Sequence, residues 1–106
     1  MTSREDRIAK NEVIFREMNE RVLEVRPSEN GGIDFLCECG NEDCVEQITL
    51  TTKEYEHVRD DPVQFFVKPG HAIPDVEEIM EENERFLLVR KHVEEQEIAR
   101  RADPRA

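Results

Sequence analysis

The sequence predicts an α+β fold: a small, mainly antiparallel sheet of about four strands with a long N-terminal helix and two short helices, stapled by zinc. Three observations predict it. A helical apolar pattern occupies the first quarter of the chain; short runs of strand composition, separated by Gly, Pro and Asn, follow it; and Cys37, Cys39 and Cys44 crowd into eight residues around a Gly40-Asn41 turn. A chain of 106 residues is the size of one compact domain and small enough to gain from a metal staple. Residues 1–92 are read as that single domain, including an amphipathic helix over 3–26, and residues 93–106 as a charged C-terminal tail.

The helix should start at a capping box, either Thr2 with Glu5 or Ser3 with Asp6, and end before Pro27. Ile8, Asn11, Phe15, Met18, Val22 and Val25 recur at steps of three and four, with Val13, Ile14 and Leu23 as a second apolar flank. Packing on the sheet is one use of this stripe. Contact with a second copy or a partner protein is the other, because little chain remains to cover so long a helix.

Ser28 to Gly32 supply turn residues ahead of a strand at 33–37, which delivers Cys37. A second strand at 45–50 places Ile48 and Leu50 on one face, so the cysteine turn joins a hairpin. Thr51 and Glu54 form another capping box for a brief helix carrying Tyr55 and Val58, which Asp61-Pro62 stops. Val63 to Val67 have strand composition, and Pro69-Gly70-His71 turns directly afterward, presenting an imidazole at a strand end. Pro74 should open a helix over 75–82, with Val76, Ile79 and Met80 on one face and Glu77, Glu78, Glu81 and Glu82 solvated. A last strand spans 85–90, and beyond Lys91 the apolar pattern is lost apart from Val93 and Ile98.

Three cysteines in a polar turn suit metal chemistry better than burial, since a free thiol among Gly40, Asn41, Glu42 and Asp43 has little apolar cover. Cys37 and Cys39, two apart on an extended chain, point to one side, and four residues separate Cys39 from Cys44. A fourth ligand must come from elsewhere. His71 is the expected one; His92 is the runner-up, His57 should face solvent, and Asp43 or Glu42 remain oxygen donors for an open site. With Cys37, Cys39, Cys44 and His71 as ligands, the zinc site is closed and structural, with no position for a catalytic water.

The motif Cys37-Glu38-Cys39-Gly40 with Cys44, then Leu50-Thr51, Glu54-Tyr55, Val58-Arg59 and Val67 followed by Pro69-Gly70-His71, resembles a family of small actinobacterial proteins over nearly the whole chain. The resemblance implies that Cys37, Cys39, Cys44 and His71 act as one constellation, and it implies no activity.

The formal charge of −11 repels phosphate and anionic lipid, which disfavours nucleic acid and membranes as direct ligands. No signal-like or membrane-spanning run occurs, and a thiol cluster of this kind suits the reducing cytoplasm. The expected function is a non-enzymatic, zinc-stabilised protein-interaction or regulatory module, working through a protein partner or a homodimer at the N-terminal helix. A thiol-based redox sensor or a small zinc enzyme is the alternative.

Overall fold

In the computed structural model of the chain, residues 4–25, 32–93 and 96–105 are described. The order is α1 (Arg4–Val25), β1 (Ile33–Leu36), β2 (Gln47–Leu50), α2 (Thr52–Arg59), β3 (Gln64–Val67), β4 (Glu77–Glu82), β5 (Leu87–Lys91) and α3 (Gln96–Arg101). The fold is α+β, with a two-stranded sheet β1-β2 and a three-stranded sheet β3-β5-β4, every pair antiparallel. The expected capping residues Thr2 and Ser3, Pro27 and the turn residues 28–31 lie outside the described residues. No described helix is long and apolar enough to cross a membrane.

The β1-β2 hairpin alternates as its sequence requires. Ile33 and Phe35 point inward opposite Leu50 and Ile48, while Asp34 and Thr49 face out and share a hydrogen bond. Gly32 opens β1 at φ +114°, where a side chain would be strained and its Cβ would sit 2.7 Å from Thr49 Cγ2. Thr51 and Glu54 cap α2 reciprocally, so Tyr55 and Val58 are carried into the core. There Phe35 stacks on Tyr55 with centroids 4.4 Å apart, and Phe66 meets both rings edge-on.

Residues 75–82, expected as a helix, instead complete a turn over 74–76, closed by a 3.0 Å bond from the Val76 amide to Ile73, and then form edge strand β4. Its backbone pairs with β5, Ile79 opposite Val89, with a bulge between Ile79 and Glu81. The hairpin turn is held by Asn83, whose side-chain oxygen accepts from the amides of Arg85 and Phe86. A stretch this short cannot sustain a helix from three apolar residues, whereas an edge strand tolerates outward carboxylates and uses them against stray pairing. The second short helix falls instead at Gln96–Arg101, where Ala99 is buried and α3 packs on α1, so this charged segment belongs to the fold.

The face α1 buries also differs from the expected stripe. Ile8, Ala9, Glu12, Arg16 and Asn19 are buried, whereas Met18 is 46% and Val25 77% exposed. Each polar member has a partner, although Arg16 Nε and Glu12 Oε2 are buried without a hydrogen bond. Arg16 donates to the carbonyls of Pro62 and Ala99 at 2.6 and 2.8 Å and lies over the Phe65 ring. Asn19 takes the Leu36 amide at 2.8 Å and donates to the Leu36 carbonyl at 2.9 Å, standing in for a neighbouring strand at the edge of β1. Glu12 lies 2.7 Å from Lys91 Nζ, which is 3.6 Å from Glu77, and all three residues are buried. The helix thus docks through a seam of charged and amide groups, flanked by buried Ile8 and Ala9 and by half-buried Val13, Val22 and Leu23 packed against the core.

Candidate metal centre

The site is assembled where the two sheets meet. Past β1 the chain stays extended: the Cys37 amide donates to Glu46 at 3.0 Å, continuing the hairpin, and the Glu38 amide donates to Phe66 at 2.9 Å, reaching β3. Alternation then sends Cys37 and Cys39 to one side and Glu38 to the other. The Glu38 carboxylate enters the core, where it pairs with the Arg59 guanidinium and accepts from Asn19 at 2.9 Å. Burial pushes the Glu38 carboxyl up, against the pull of Arg59.

Gly40 gives the loop its contact with α1. A Cβ there would lie 2.4 Å from Ile8 Cγ2, and Asn11 donates to the Gly40 carbonyl at 2.9 Å. Asn41 then turns the chain, its side chain accepting from Asp43 and its carbonyl from the Cys44 amide. On the opposite side, Lys68-Pro69-Gly70-His71 makes a turn closed by a 2.9 Å bond from the His71 amide to Lys68, with Gly70 at φ +90°. Pro at the second and a positive-φ Gly at the third position fit a type II turn.

Through these two turns the structure brings together Cys37, Cys39, Cys44 and His71, whose donor atoms all lie within 4.8 Å of one another. His71 Nδ1 is 3.7 Å from Cys37 Sγ and 3.7 Å from Cys44 Sγ. A tetrahedral ion with zinc-like bond lengths needs sulfur-to-nitrogen edges of about 3.6 Å, so the donor set fits one. The Lys68 amide donates to Cys37 Sγ at 3.2 Å, a bond that favours a thiolate there. These four residues can hold a metal ion.

The electrostatics favour a cation in the middle. A hydrogen bond from the Cys37 thiol, helped by His71, holds Cys39 down to about 5. The same hydrogen bond to Cys39, then burial, pushes Cys37 up, and burial pushes Cys44 up. Three sulfurs this close share protons unless a positive ion replaces them.

The other sequence candidates lie apart from this group. His57 pairs with Glu81 at 2.8 Å in solvent; the His92 amide donates to Val76 at the end of β5; Glu42 and Asp43 are exposed on the loop. Residue patterning overlooked the groups that hold the ligands in place, namely Asn11, Asn19, Glu38 and Arg59. The Cys-Glu-Cys alternation held the one available signal, since two inward thiols force the Glu between them to the opposite side. No protein-family model, curated protein or solved structure matches this chain.

Proposed function

We propose that Cys37, Cys39, Cys44 and His71 bind one structural zinc ion, and that the protein is a non-enzymatic interaction or regulatory module stabilised by it. The observation that carries this reading is the set of four donors within 4.8 Å of one another, with His71 Nδ1 3.7 Å from two of the sulfurs, gathered from the end of β1, the cysteine turn and the turn after β3. Three sulfurs and one nitrogen are the soft and borderline donors that zinc prefers, and four protein ligands leave no place for a reacting water. A thiolate cluster of this type persists in a reducing compartment, which supports a cytoplasmic location. The long helix supports a protein partner or a second copy as the ligand of the module.

Elemental analysis of the purified full-length chain tests the reading: one zinc per chain is expected, retained by His92→Ala and weakened by His71→Ala. A metal-free protein with an unchanged fold contradicts it. A second reading, a thiol redox sensor, has one observation in its favour. A cavity of about 340 Å³ is lined by Cys39 and His71, although Cys39 is itself only 2% exposed. Under that reading peroxide releases the metal and a thiol reductant restores it; a metal that stays bound under peroxide removes it.

A further inference from the structure

We propose that the outward face of α1, with the groove it forms against the 40–43 loop, docks an acidic segment of a partner protein that carries apolar anchors. The inference rests on the interaction-module reading above and names the chemistry of its partner. At the helical angle per residue, Arg7, Lys10, Ile14, Met18, Arg21 and Val25 form a strip opposite the buried Ile8, Glu12, Arg16 and Asn19. All six strip residues are exposed, and the exposed carboxylates Asp6, Glu17 and Glu24 border the strip along one side, in a chain of net charge −11.

The cations of this strip are unlike several others on the surface. Arg85, Arg90, Arg101 and Arg105 are each paired with a carboxylate. Arg7, Lys10 and Arg21 form no ion pair or side-chain hydrogen bond among the described residues. Between them Ile14 and Met18 stand 55% and 46% exposed one turn apart, an apolar surface with no cover from this chain.

Beside the strip lies a groove of about 600 Å³. Arg7 and Lys10, with Arg4 already paired to Asp75 at 3.4 Å, line it beside the apolar surface of Ile8, Ile14 and Ile73, and Glu42 and Asp43 stand on the loop side. This polarity asks for an amphipathic occupant, with its carboxylates along α1 and its apolar side chains over the isoleucines. A concave site suits inserted side chains better than a flat lipid surface, and the loop carboxylates disfavour a polyanionic phosphate backbone. A second copy fits less well, because antiparallel pairing about Ile14 sets the Arg7 end of one helix against the Arg21 end of the other.

The test uses the full-length protein with its metal content measured, and a synthetic helical peptide carrying Leu on one face and Glu on the other. Its partner is the same peptide with Lys replacing Glu. Titration of the ¹⁵N-labelled protein is expected to shift amides along α1 and loop 40–43 with the acidic peptide alone. Arg7→Glu with Lys10→Glu should weaken binding about tenfold or more, with metal content and melting temperature retained, whereas Arg101→Glu should not weaken it.

Equal binding of both peptides, shifts confined to other surfaces, or unchanged affinity in the charge-reversal variant overturns the proposal. Binding to phosphatidylglycerol vesicles in place of the peptide assigns the face to membranes, and a concentration-dependent dimer abolished by Ile14→Glu assigns it to a second copy; either overturns it. The two readings fail separately: a filled metal site without peptide binding removes the docking face, and peptide binding by a metal-free, folded chain removes the zinc reading.

Discussion

The cysteine end of the molecule and the seam beneath α1 solve the same problem, joining elements distant in sequence, by opposite means. At the cysteine end four donors converge, and the charges of the thiolates are suited to a cation from outside. Under α1 the cations are supplied by the chain itself, as Lys91 between Glu12 and Glu77 and as Arg59 against Glu38. An external ion adds binding free energy to folding, whereas an internal ion pair must first offset the desolvation of both partners. The cysteine end should therefore govern stability, and the seam should govern how α1 is placed.

The largest effect should come from removing the proposed zinc. Structural zinc is worth on the order of 10–16 kcal/mol in small peptides, comparable with the whole stability of a domain this size. Chelation, or Cys37→Ser, should abolish the cooperative thermal transition seen by circular dichroism, or lower its midpoint by tens of degrees. An unchanged midpoint would erase the distinction between the two regions.

Next comes the seam. Glu38→Gln leaves the buried Arg59 charge uncompensated and should cost about 3–5 kcal/mol in urea denaturation with the metal site loaded. Glu38→Met with Arg59→Met should recover most of that loss, because the desolvation cost disappears along with the attraction. Additive losses in the double variant would mean that the two side chains act independently.

A smaller, pH-dependent effect is expected at Glu12. Burial, then its hydrogen bond with Glu77, raises its carboxyl well above the ordinary value. The folded chain then keeps a proton that the unfolded chain releases, so this group's contribution falls as pH rises from the unfolded value through the folded one. Urea midpoints of Glu12→Gln should lack that decline relative to the unmodified chain. An identical pH dependence in both would show that Glu12 ionises in the fold as freely as outside it.

The smallest effect belongs to the surface. The hydrogen bond from Arg105 holds Glu56 below the usual carboxyl range, and Arg105 also reaches Glu20. That stabilisation is present above the unfolded carboxyl value and is lost as pH falls through the folded one. Arg105→Ala should cost about 1 kcal/mol or less near neutral pH and progressively less in acid. A loss as large at acid pH as at neutral would detach it from these carboxylates.

The contrast also explains what could be read from the sequence. Cys37, Cys39, Cys44 and His71 were legible because ligand chemistry depends on residue type and because Gly40, Asn41, Pro69 and Gly70 mark the turns that carry them. The β1-β2 hairpin and the Thr51 to Glu54 cap were legible from alternation and capping. Glu12, Arg16 and Asn19 were hidden: periodicity counts a charge as outward, and their partners, Lys91, Pro62, Ala99 and Leu36, lie far along the chain. Strand β4 was hidden for a related reason, since Val76, Ile79 and Met80 match a helix as well as a strand until the pairing with β5 decides.

Native mass spectrometry of the intact chain, combined with X-ray absorption at the metal edge, tests the central claim most directly. One zinc per chain is expected, bound by three sulfurs and one nitrogen, with the nitrogen lost in His71→Ala and kept in His92→Ala. A folded chain that carries no metal, or a metal whose shell is unaffected by His71→Ala, would contradict it.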